Sequence, residues 1–211
     1  GGDLDVIASN GPYLYRGLGA KLTVVDLSSP NNPTVVGESP PLPDRVTDLA
    51  YASGYLYVAA GSAGVHVVDV SSPSNLREVG QYTALTAATQ IAFSDHYVFV
   101  LDEHAGLVVL DVANPAQPTR VGALADFTGT ELLLDGQLAL IVSTNIALVD
   151  ISNPASPVWV SNYQLGTQGG MAVRAGYLYL SDQTTCRIVS LKDPQAPTVV
   201  GSCGNAWGEL K

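Results

Sequence analysis

The chain has 211 residues, with 9 basic and 19 acidic side chains, a formal charge of −10, and only 13% of its residues charged. Ordinary apolar content (46%) excludes a disordered chain, and scarce Lys and Arg exclude a nucleic-acid binder, which needs clustered cations. No apolar run approaches the ~18–20 residues of a membrane span. Gly1-Gly2-Asp3-Leu4-Asp5 has neither region of a signal peptide, so any such peptide is expected to have been removed.

In chain order, a strand within 1–9 leads through the turn Gly11-Pro12 to Tyr13-Leu14-Tyr15. Val24-Val25-Asp26-Leu27-Ser28-Ser29-Pro30 follows, and then a short run ending in Val36-Gly37. The same succession then returns. Tyr55-Leu56-Tyr57 precedes Val67-Val68-Asp69-Val70-Ser71-Ser72-Pro73, and Tyr97-Val98-Phe99 precedes Val109-Leu110-Asp111-Val112-Ala113-Asn114-Pro115. Leu138-Ala139-Leu140 precedes Leu148-Val149-Asp150-Ile151-Ser152-Asn153-Pro154. A worn copy, Tyr177-Leu178-Tyr179 with Ile188-Val189-Ser190-Leu191-Lys192-Asp193-Pro194, comes last.

The anchor prolines are 43, 42, 39 and 40 residues apart. Each repeat holds four short β-favouring segments, A to D, separated by Gly, Pro, Asn, Asp and Ser. In the second repeat they fall at about 47–52, 55–60, 65–70 and 77–82. Four strands per 40 residues is the arithmetic of a β-propeller blade. The expectation is an all-β fold, a single five-bladed propeller over 1–211. Its repeats are about 1–44, 45–85, 86–127, 128–166 and 167–203, with a tail at 204–211.

The Val-Val-Asp-x-Ser-x-Pro-x-x-Pro core resembles the LVIVD repeat, a family of bacterial and archaeal surface proteins whose fold is understood as a β-propeller. The resemblance is strongest at 45–82 and 88–122 and weakest at 171–201, where Ser190 stands in place of the aspartate. It implies a cell-surface setting.

Asp26, Asp69, Asp111 and Asp150 are expected to pin the C–D turns, each accepting backbone N–H groups two or three residues on before a proline fixes φ. The Tyr-Leu-Tyr segments are expected to pack blade against blade, with phenol tips on polar partners. Cys186 and Cys203 fall in columns that meet across the last C–D turn, which puts 186 opposite 202 or 203. A disulfide there would close a loop of about 17 residues and stabilise by ~3 kcal/mol in the chain-entropy model. It would also indicate an oxidising, extracellular or cell-surface compartment. Two buried free thiols are the alternative.

Strand alternation puts the D–A and B–C connections on one rim. There the starts of the A strands are expected to set Asp5, Asp48, Gln90 and Glu131 around a channel mouth. The B–C loops add Asp102, Glu103, His104 and Asp182, and Arg16 stands where other repeats have aliphatic residues. Oxygen donors of this kind suit Ca²⁺, with Asp5, Asp48 and Glu131 as candidate ligands. Otherwise they cap strand ends and bind water. No other cofactor is indicated. His66 is expected half-buried in a strand and His96 on the opposite rim. No catalytic motif or metal-ligand spacing appears.

These features point to a non-catalytic extracellular or cell-surface interaction module, binding a protein or a glycan through a propeller rim. An enzyme, hydrolase or lyase, at the acidic channel mouth is the second reading, resting on fold analogy. A structural subunit of a surface assembly is the third.

Overall fold

The computed structural model describes residues 6–164, 169–181 and 185–203. Among these, every regular element is a strand. The twenty strands form five four-stranded antiparallel sheets that follow one another in sequence. The first sheet comprises β1 (Val6–Asn10), β2 (Tyr13–Leu18), β3 (Lys21–Asp26) and β4 (Thr34–Glu38). The second comprises β5 (Asp48–Ala52), β6 (Tyr55–Ala59), β7 (Val65–Asp69) and β8 (Arg77–Tyr82). The third comprises β9 (Ala88–Ser94), β10 (Tyr97–Asp102), β11 (Gly106–Asp111) and β12 (Thr119–Leu124). The fourth comprises β13 (Glu131–Asp135), β14 (Leu138–Val142), β15 (Ile146–Asp150) and β16 (Val158–Tyr163). The fifth comprises β17 (Met171–Arg174), β18 (Tyr177–Ser181), β19 (Cys186–Ser190) and β20 (Thr198–Cys203). The order within each is that of a propeller blade, as the repeat arithmetic requires. The chain divides into two compact units, Gly1–Thr128 with three sheets and Gly129–Lys211 with two.

In the second, third and fourth sheets the two middle strands are buried on both faces, which is why they read as almost unbroken apolar runs. In β6, Leu56 and Val58 join the core shared with the first sheet, while Tyr57 and Ala59 join the core shared with the third. The period of two therefore serves two cores at once. In the second unit, Leu140, Val142, Ile146 and Leu148 meet Leu178, Leu180, Val189 and Leu191 in one cluster. The Tyr-Leu-Tyr segments do pack sheet on sheet. Tyr15 stacks on Tyr51 at 5.6 Å and Tyr57 on Phe93 at 5.2 Å, so the aromatic partner is an A-strand residue of the next sheet.

The repeated aspartates act as expected. Asp26, Asp69, Asp111 and Asp150 accept the amides of Ser28, Ser71, Ala113 and Ser152 at 2.7–2.9 Å, always two residues on. Behind each lies a β-turn over the proline, closed for example from Asn75 N to Ser72 O at 2.9 Å. In the worn fifth copy the Ser190 hydroxyl takes the same role at a looser 3.4 Å from Lys192 N. The A–B hairpins have two-residue loops whose first residue is left-handed at Gly11, Ser53, Asp95, Gly136 and Ala175. That backbone matches the strand twist of a tight hairpin.

The Val-Gly pair that ends most repeats has two separate jobs. In every sheet the C–D register shifts by one residue at the same place. Val36, Val79, Val121, Val160 and Val200 are the extra, bulged residues. The glycine then receives the next sheet. A Cβ on Gly37 would overlap the Pro73 carbonyl oxygen, and one on Gly80 would overlap that of Pro115. A glycine Hα facing a carbonyl makes a weak but repeatable C–H···O contact. The fourth sheet has Ser161 there, and its hydroxyl donates to the Pro194 carbonyl instead. The exception in sequence thus preserves the contact by different chemistry.

Candidate functional site

In the first unit the D–A and B–C connections of the second and third sheets do share a rim, and they line an open cavity of about 290 Å³. Asp44, Arg45 and Thr47 line it from the connection before β5, and Gly61 and Ser62 from the loop between β6 and β7. The segment 86–89 lines it from the entry to β9, and Glu103 from the loop between β10 and β11.

Most of this wall is braced by its own polar groups. One oxygen of Asp44 accepts Ser62 Oγ at 2.6 Å and Ser62 N at 2.9 Å, and the other accepts Arg45 N at 2.7 Å. Those bonds, the serine hydroxyl foremost, hold the Asp44 carboxyl below its ordinary pKa. Thr47 Oγ1 lies 3.0 Å from Ala59 O and 2.8 Å from Ala88 O, so its single proton is shared between carbonyls of the two sheets. Thr89 and Thr130 repeat the first of these bonds, to Leu101 O and Val142 O. Thr86 Oγ1 lies 3.2 Å from His104 Nδ1. The exposed Arg45 and Glu103 leave one charge of each sign at the opening.

The expected site residues separate by role. Asp102 is buried, and its two oxygens accept four backbone amides, those of Thr86, Ala87, His104 and Ala105, at 2.8–3.0 Å. Burial alone would raise its pKa, but the four amides carry it below the ordinary value. It therefore holds the cavity's loops in place and has no oxygen left for a ligand. Asp48 accepts Leu49 N at 2.8 Å and, from the third sheet, Ile91 N at 2.9 Å, which clips two A strands together. Gln90 turns back onto Thr89 O at 3.1 Å. Arg16 is half-buried in β2, opposite Ile7 and Thr23. Glu131, at the start of β13 in the second unit, has its pKa raised by burial. Asp5 and Asp182 lie outside the described residues.

The register aligns three of the expected rim residues in one column. Asp48, Gln90 and Glu131 pair with Ala59, Leu101 and Val142, the fifth residue of each B segment. In the first sheet that position pairs with Val6. Among the described residues no group of three or more His, Cys, Asp or Glu gathers to hold a metal ion. His66 is more deeply placed than expected, buried in β7 with Nδ1 3.0 Å from Glu78 Oε1. Asp44, Thr47, Ser62 and Thr86 were not singled out as site residues. The recurring threonine before the A strand was the available signal; the Asp44–Ser62 link spans 18 residues and had none.

The LVIVD repeat matches residues 1–39, 45–84, 87–126 and 134–164. The chain belongs to the LVIVD-repeat family. The match ends before the fifth sheet, where the LVIVD turn has lost its aspartate. Solved structures share the fold of this LVIVD chain at low sequence identity. A functionally unknown protein from Desulfotomaculum acetoxidans is similar with a TM-score of 0.75 at 13% identity, over 96% of this chain and 70% of that one. The computationally designed Ika8 protein is similar with a TM-score of 0.69 at 12% identity, over 94% of this chain and 60% of that one. No curated protein matches the LVIVD chain.

Proposed function

We propose that the chain is a non-catalytic interaction module of the cell surface that holds its partner, a protein or a glycan, at the first unit's D–A/B–C rim. The observation that carries this reading is the open cavity whose wall is braced by its own polar groups. A ligand meets a carboxylate and hydroxyls already held in place, Asp44, Thr47 and Ser62, with the exposed Arg45 and Glu103 at the opening. A volume near 290 Å³ suits one or two sugar rings better than a folded protein surface. At the cavity Thr86 Oγ1 lies beside His104 Nδ1, and among the described residues no carboxylate bonds the His104 ring to orient it.

Binding of neutral and uronate-containing oligosaccharides on an array, followed by calorimetry, tests the reading. The expected result is binding that falls at least tenfold in Arg45→Ala and Glu103→Gln, with unchanged melting. Binding indifferent to both substitutions contradicts it, and so does turnover of a bound sugar.

The surface setting is supported by the last C–D register, which sets Cys186 directly opposite Cys203. The two are proposed to be joined as a disulfide, as an oxidising compartment permits. Intact mass after alkylation checks this: labelling only after reduction is expected, and labelling without reduction rules the bond out.

A further inference from the structure

The cavity between the second and third sheets has most of its hydrogen-bond donors already committed. The amides of Arg45 and Ser62 go to Asp44, those of Thr86 and Ala87 to Asp102, and those of Ala88 and Glu103 to the carbonyls of Gly61 and Ala87. The hydroxyl protons follow the same rule. Ser62 Oγ donates to Asp44 Oδ2 at 2.6 Å and Thr89 Oγ1 to Leu101 O at 3.2 Å, while the Thr47 proton is shared between the Ala59 and Ala88 carbonyls. Of the side chains lining the cavity, Arg45 is the one cation, and its exposed guanidinium makes no hydrogen bond or ion pair among the described residues.

Acceptors, by contrast, are left over. A carboxylate offers about four acceptor positions, and three protein donors reach Asp44. The Ser62, Thr47 and Thr89 oxygens keep lone pairs that no described group fills, and the exposed Glu103 carboxylate has no bonded partner among the described residues. Charge runs the same way. Two lining carboxylates, Asp44 and Glu103, stand against the single guanidinium, in a chain whose formal charge of −10 favours the approach of cations. A pocket for anions is built the other way round, from free backbone N–H groups.

Resting on the glycan reading above and narrowing it, we infer that the ligand of this cavity is a sugar bearing a free, protonated amine. An ammonium carries three donors and no acceptor, the complement of a wall that accepts and barely donates. Asp44 and Glu103 give it charge-assisted acceptors, and the ring and hydroxyl oxygens of the sugar are left for Arg45. N-acetylation removes the charge and adds a carbonyl oxygen for which Arg45 is the one uncommitted charged donor. A uronate brings its carboxylate up to two of the same sign.

Calorimetry with the disaccharide of glucosamine, its N-acetylated form and a uronate disaccharide tests this, in buffer that keeps the amine protonated. The free amine is expected to bind about tenfold more tightly than the N-acetylated form, with a preference that shrinks as salt is added. Glu103→Gln is expected to abolish most of that preference, whereas Arg45→Ala weakens both forms alike. Melting curves confirm that both variants fold, as the exposure of the two side chains allows. Equal binding of the amine and N-acetylated forms, or tighter binding of the uronate, overturns this inference and leaves the glycan reading standing. A preference undiminished in Glu103→Gln also overturns it, since the attraction then comes from the net charge of the chain. Binding of no saccharide, or binding indifferent to both substitutions, overturns the glycan reading as well.

Discussion

Gly80→Ala is expected to destabilise the first unit by about 3 kcal/mol or more, while Gly201→Ala stays within about 0.5 kcal/mol of the wild type. The two glycines occupy the same place in their repeats. At Gly80 a methyl group would overlap the Pro115 carbonyl oxygen and crowd the Ala116 backbone at 3.0 Å. Backbone atoms in a pinned turn cannot step aside as a side-chain tip can, so the second and third sheets must separate. At Gly201 the methyl meets Ile188 at ordinary van der Waals distance. Neither glycine needs a positive φ, so conformational freedom does not confuse the comparison. Urea unfolding of the two variants checks it. Equal losses would mean that the sheet-to-sheet contact is not what selects the glycine.

Asp102→Asn is expected to cost about 2–4 kcal/mol, because an amide of the same shape presents N–H where two backbone donors need an acceptor. The effect carries a pH signature with a definite sign. In the folded chain the four amides hold the Asp102 pKa below its unfolded value, despite burial. Its contribution is therefore fully present above the unfolded carboxylate pKa of ~4 and is lost as pH falls through the folded value. The asparagine variant lacks that titration, so the gap between the two proteins should narrow as the medium is acidified. Urea unfolding at several pH values between neutrality and strong acid measures the gap. A gap independent of pH would place the loss elsewhere than the carboxylate. The same substitution frees Thr86, Ala87 and the residues after Glu103, so sugar binding at the cavity should weaken along with stability.

Local chemistry was legible in the sequence and long-range chemistry was not. A turn aspartate bonds two residues along its own chain, so its spacing to serine and proline states its role. The strand pattern was similarly direct: the segments read at 55–60 and 77–82 are the observed β6 and β8 to within a residue. The Val-Gly pair was visible as a repeat, yet its meaning lay in a register shift and in a proline carbonyl about 35 residues away. Asp102 looked like a ligand because an acidic residue in a rim loop ordinarily faces water. Its four bonds come from backbone amides on two loops, and backbone amides leave no trace in a sequence. The cavity itself joins four connections of two sheets, with the Asp44–Ser62 bond bridging two of them, and only the folded chain brings them together.

The separation of roles, with repeated residues building the sheets and the departures around Arg45, Ser62, Thr86 and Glu103 recognising a partner, is tested most directly by mapping backbone amide shifts. Isotope-labelled protein would be titrated with the oligosaccharides that bind on the array. The account predicts shifts confined to residues 44–47, 61–62, 86–89 and 103–105. Shifts centred on the C–D turns at 26–32, 69–75 or 111–117, with the cavity unmoved, would contradict it.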